Sequence, residues 1–235
     1  MSDDGFINTQ FEEDNEESKL SFFQRFVNVF VNPIKVMEDI SIKPTLLFAI
    51  LPTLLVFTLL NVLKIDLLKE FTLQQMELNP NSVEIPEEIM MTTVYIASIS
   101  ASIMPIIMAL FKGLISHGIT RLFDGKGDIK QSLSVIFFSY FIVMLGEIIK
   151  TIICLLTQSY FVTISLASVI PNLEFNTPLY NLMTQFDIFI LWYLIVSMIG
   201  ISVVHRISKG KAAVAVFGPW SILIVYHVVL AIIMQ

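Results

Sequence analysis

Apolar residues run along this chain in five blocks, and short stretches between them carry most of the charge. The blocks cover residues 44–63, 89–111 with a continuation to 122, 132–156, 183–204 and 212–234. A helix needs about 20 mostly apolar residues to cross a bilayer, and each block meets that length. The pattern predicts an all-α integral membrane protein, a bundle of five transmembrane helices over residues 44–235. A sixth apolar run, 160–170, is too short to span alone. It reads as an interfacial piece or an extension of the third helix. Pro52 and Pro105 fall inside spans, where neighbouring helices can compensate the lost backbone donor. In the second span Ala97, Ser98, Ala101, Ser102, Ala109 and Gly113 crowd one side. Small residues let helix backbones approach closely, within the bundle first and between copies in a homo-oligomer second.

Before the first span the period changes. Phe22, Phe23, Phe26, Val27, Phe30 and Val31 recur at helical spacing opposite Gln24, Arg25 and Asn28. Asn32-Pro33 restarts the helix, with Asn32 as cap and Pro33 in the first turn. Residues 20–43 therefore form an amphipathic region expected to lie on the cytoplasmic membrane surface. Packing of its apolar face into the bundle is the alternative.

Composition agrees: hydrophobic residues make up 55% and charged residues 14% of 235, too few charges to coat a water-facing domain, which carries roughly 25%. The net charge of −6 is a local matter. Asp3, Asp4, Glu12, Glu13, Asp14, Glu16 and Glu17 load an acidic tail, residues 1–19, whose composition predicts disorder. Lys and Arg give the orientation. Lys19, Arg25, Lys35, Lys43, Lys112, Arg121, Lys126, Lys130, Arg206, Lys209 and Lys211 flank one side; only Lys64 and Lys69 flank the other. The bias predicts a multi-pass protein with its N-terminus cytoplasmic and its C-terminus outside, and the Ile-, Asn- and Lys-rich residue usage points to a bacterial cytoplasmic membrane.

The chemistry is sparse. One cysteine, Cys154, excludes an internal disulfide and a Cys-based metal site. No metalloprotease, nucleophile-elbow or phosphate-loop motif occurs, so no enzyme and no cofactor is expected. The absence of a basic stripe argues against nucleic acid. Asp124-Gly125-Lys126-Gly127-Asp128 is too short for a Ca²⁺ loop and reads as a polar turn. The candidate site is an intramembrane polar cluster of Glu147, Lys150, Asp187 and His227. Glu147 and Lys150, three apart, share a helix face. Charges at mid-bilayer cost at least ~2.5–3.5 kcal/mol, so these residues should turn inward and find partners. They could bind an ion, a proton or a small polar group, or only fix the packing. A second set, His117, Arg121, Asp124, His205 and Arg206, lies at the cytoplasmic ends. Its two histidines could share a metal, but contact with anionic headgroups is the plainer reading. Trp192, Tyr193, Trp220 and Tyr226 read as packing and interface residues.

Several short motifs recur in a familiar order. Asn32-Pro33 with Met37-Glu38-Asp39-Ile40 and Lys43-Pro44 resembles the start of the YIP-domain family, the Ypt/Rab-interacting membrane proteins and their bacterial relatives. Gly125-Lys126-Gly127, then Lys130-Gln131-Ser132-Leu133-Ser134-Val135 and Ser139-Tyr140, is similar to that family's entry into its third span. Asp187-Ile188-Phe189, Leu191-Trp192, Gly200-Ile201 and Ser208-Lys209-Gly210-Lys211-Ala212 resemble its fourth span and following loop. The family usually has Pro soon after the Ser-Tyr pair, where Phe141 stands here. The resemblance covers about residues 22–230 and implies five spans with a cytoplasmic N-terminus. It also implies a non-enzymatic adaptor, accessory or assembly factor for other membrane proteins, such as an ABC-type exporter. A small permease or channel using Glu147, Lys150 and Asp187 is one alternative; a lipid-binding or scrambling protein is another.

Overall fold

The computed structural model describes residues 20–78, 86–174 and 177–233; the acidic tail expected over 1–19 lies outside them. Helices α1 (Phe22–Val31) and α2 (Pro33–Ile42) come first. Ser21 opens α1 with a reciprocal capping box, its hydroxyl accepting from the Gln24 amide and the Gln24 side chain accepting from its own amide. Asn32 caps α2 with Pro33 at the first position, as its sequence implies.

Five crossings follow. They are α3 (Leu46–Leu63), α5 (Glu87–Arg121), the pair α6 (Ile129–Ser139) and α7 (Phe141–Thr157), α9 (Ile188–His205) and α10 (Lys209–Ile233). Between the first two lies α4 (Ile65–Leu78), and before α9 comes the short α8 (Pro178–Thr184). The third crossing is continuous except for a turn at Tyr140, which still bonds back to Ile136 and forward to Met144.

That third crossing is the hub. Of its most apolar window 61% is buried, against 11% for α10 and 22% for α3. Phe137, Phe138, Phe141 and Ile142 are fully enclosed. Many large apolar side chains of α3, α5 and α10 instead face outward, Phe48, Leu55, Phe111 and Val225 among them, as they do when lipid is the solvent. At Gly200 the backbone of α9 comes so close to Val135 of α6 and Met37 of α2 that a Cβ would stand 2.5 Å and 2.7 Å from them.

The two readings of residues 20–43 divide between the two helices. In α2, Val36, Met37 and Ile40 are fully buried and the helix packs on α9. In α1, Phe23 and Val31 stay more than 70% exposed, while Phe26 packs at a tilt against Phe141 and Phe30 meets Trp192 edge-on. The run 160–170 does not extend the third helix. Gln158 ends α7 in a left-handed conformation (φ 51°), the chain folds back through a 3₁₀ turn at Leu166–Val169, and Ser165 pairs with Asp187 in an isolated bridge.

One end of the bundle gathers α1, α2, the loop before α6 and the start of α10, tied by Gln131 donating to the Ser41 carbonyl (2.6 Å) and Lys126 to the His205 carbonyl (3.0 Å). The other end gathers α4 and residues 158–174 and 177–187, where Phe71 stacks on Tyr160.

Candidate functional site

At the end where α4 lies, the structure joins three of the four intramembrane candidates. Glu147 and Lys150 lie on α7, and Asp187 is the residue before α9. The Lys150 ammonium donates to Oε1 of Glu147 at 2.7 Å and stands 2.9 Å from Oδ2 of Asp187. Oδ1 of Asp187 accepts from the amides of Phe189 (2.8 Å) and Ile190 (3.3 Å), an N-cap. Asp187 is thus occupied on both oxygens and only 2% exposed. Two carboxylates share one ammonium, and the α9 N-terminus, carrying roughly half a positive charge, offsets part of the excess. His227 stands apart: it is exposed, and its Nδ1 lies 2.8 Å from the Leu223 carbonyl of its own helix.

Gly146 makes this closure possible. A Cβ there would lie 2.6–2.9 Å from the Phe189 side chain, and Phe189 is the residue whose amide caps on Asp187. Gly146→Ala is expected to cost about 1–3 kcal/mol by overpacking, read as a lower unfolding temperature in detergent.

The second candidate set lies at the other end. Ser132 on α6 links both histidines: its oxygen is 2.9 Å from Nδ1 of His117 and 2.7 Å from Nε2 of His205. The same oxygen lies 3.1 Å from the Asp128 carbonyl, to which its proton can go. His205 is fully buried, and among the described residues its Nδ1 has no hydrogen-bond partner. The turn 124–128 closes over it. The Gly125 amide bonds the Thr120 carbonyl, and a Cβ on Gly125 would stand 2.8 Å from that oxygen and 2.9 Å from His205 Nδ1. A Cβ on Gly127 would stand 2.7 Å from the Val204 carbonyl. Arg121 donates to the Gly125 carbonyl at 3.0 Å. Asp124 and Arg206 are exposed and turn the chain with positive φ, 59° and 53°. This arrangement locks a loop onto a helix end. Among the described residues no group of three His, Cys, Asp or Glu side chains could hold a metal ion. Ser132→Ala removes the partner of two imidazoles and is expected to cost about 1–3 kcal/mol; chemical denaturation in detergent measures it.

Two charges escaped sequence reasoning. Arg25, assigned to the polar face of α1, is buried. Its Nε donates to Oδ2 of Asp39 at 2.5 Å, Nη2 reaches the same oxygen and the Lys43 carbonyl, and Nη1 reaches the Thr45 hydroxyl. The spacing of Arg25 and Asp39 across a helix break gives no periodic signal. Lys112, counted with a loop flank, lies within α5 with its ammonium 5.7 Å from the Tyr193 ring centroid, a cation–π contact.

No curated protein matches this sequence, and no solved structure does. The model of the Yip1 domain family matches residues 27–231, a stretch that takes in α2, all five crossings and both clusters. Five apolar crossings in one helical bundle, together with that match over nearly the whole chain, establish that this chain belongs to the Yip1 domain family.

Proposed function

We propose that this protein is a non-enzymatic adaptor, accessory or assembly factor for other membrane proteins, for instance an ABC-type exporter. It works in a bacterial cytoplasmic membrane with its N-terminus in the cytoplasm and its C-terminus outside. The observation that carries the reading is the closure of the intramembrane charges. Lys150 is held by both Glu147 and Asp187, and Asp187 is committed on both oxygens. A permeation site needs groups free to exchange partners with a passing ion. These three are partnered within the fold, which favours a structural role. Family membership supports a membrane protein, and the outward apolar faces of α3, α5 and α10 supply surface that lipid or other membrane helices can cover.

Affinity purification of the tagged chain in mild detergent tests the proposal. The same membrane protein should return across independent preparations. Failure to recover any reproducible membrane partner would count against the adaptor reading. A liposome flux that depends on Glu147 and Asp187, lost in Glu147→Gln and Asp187→Asn, would replace it with transport.

A further inference from the structure

Beneath the α1–α2 corner lies a cavity of about 160 Å³ lined by Leu20, Phe22, Arg25, Lys43, Thr45 and Phe48. That is far more room than a single water needs. Its polar side chains present donors. Arg25 has five N–H groups; among the described residues four are engaged, by Asp39, the Lys43 carbonyl and Thr45, which leaves one on Nη1. The Thr45 oxygen accepts from Arg25, and among the described residues its proton has no other acceptor, so the hydroxyl can donate into the cavity. Lys43 is exposed and, among the described residues, its ammonium forms no ion pair. Asp39, the neutralising carboxylate, is not among the described residues that line the cavity, and none of those is acidic. A chamber with three donors and an excess of positive charge suits an anion with several acceptor oxygens.

The walls say what the anion is attached to. Leu20, Phe22 and Phe48 are apolar, and Phe48, in the first turn of the first crossing, is 63% exposed. Phe22 is 38% exposed on the other rim. The cavity therefore sits where charged loop meets lipid-facing helix, the level at which a headgroup phosphate stands above its acyl chains. We propose that this cavity holds the phosphate of an anionic phospholipid, gripped by Arg25, Thr45 and Lys43, with its chains lying along Phe22 and Phe48. The rigid Arg25–Asp39 pair presets one donor, and Lys43 closes over the anion from the surface. The proposal stands independently of the adaptor reading.

The test titrates the full chain in neutral maltoside micelles with dioleoylphosphatidylglycerol, dioleoylphosphatidylcholine or inorganic phosphate. Retained lipid is counted by native mass spectrometry. One phosphatidylglycerol should be held in preference to phosphatidylcholine. Lys43→Gln should weaken it at least about fivefold, the share of one cation near a headgroup. Lys35→Gln, exposed on α2 but outside the cavity, should weaken it less than about twofold. Phe48→Ala should weaken it too, without the charge change. The unfolding temperature of each variant without lipid shows that it folds. Equal retention of the two lipids would overturn the proposal. So would equal losses in Lys43→Gln and Lys35→Gln, which would mean diffuse surface charge. Inorganic phosphate displacing the lipid at matched concentration would assign the site to a soluble anion instead.

Discussion

Arg25→Met is expected to lower the unfolding free energy by about 3–5 kcal/mol, the cost of breaking a buried ion pair from one side. The guanidinium is only 4% exposed and joins three segments: the Asp39 carboxylate on α2, the Lys43 carbonyl just after it and the Thr45 hydroxyl before α3. Without it the Asp39 carboxylate keeps, among the described residues, only the Leu20 amide at 3.1 Å, and a carbonyl and a hydroxyl lose their donor. Arg25→Lys should recover little, because an ammonium is a point charge and cannot reproduce the fork that meets several acceptors at once. Arg25→Met combined with Asp39→Leu should recover most of the loss, since the uncompensated charge goes with its partner. Thermal unfolding in detergent of the two single variants and the double variant reads all of this. A loss below about 1 kcal/mol for Arg25→Met would mean that the pair behaves as a solvated surface bridge.

Lys150→Met should fall nearly as far, by about 3 kcal/mol, at the low end for a broken buried pair because Glu147 and Lys150 keep 28% and 18% of their side-chain surface exposed. It leaves two carboxylates facing one another with no cation between them. Asp187, almost fully enclosed, cannot turn to water. Asp187→Asn should cost less, about 1 kcal/mol, since the amide oxygen still accepts from Phe189 and Ile190. Guanidinium-free thermal scans at low salt keep the electrostatic difference between these variants visible.

The crossings were legible because lipid imposes one rule on every exposed residue of a span, and composition reveals it directly. The Glu147–Lys150 contact was legible because three residues on a helix are neighbours by geometry. Asp187 was placed with them, and its second role was hidden: the helix starts at Ile188, later than the apolar run suggests, and that makes Asp187 a cap. His227 shows the limit of reading depth without direction. It lies in a span, yet α10 is the least enclosed crossing and turns it outward. Arg25 shows another. Amphipathic periodicity assigns a charge to the wet side, but tertiary contact with Asp39 and Thr45 overrides it. The histidines were paired as a set in sequence; the serine that joins them, Ser132, belongs to another helix and left no local sign.

The closure of Glu147, Lys150 and Asp187 on one another is the claim on which the functional reading rests. The direct measurement is the unfolding free energy of the triple variant Glu147→Gln, Lys150→Met, Asp187→Asn beside that of Lys150→Met alone. If the charges answer only each other, removing all three restores stability to within about 1 kcal/mol of the parent, because no ion is left unpaired and the α9 cap is kept. A triple variant as unstable as Lys150→Met, or less stable, would contradict closure and point to a further charged partner or ligand in the cluster.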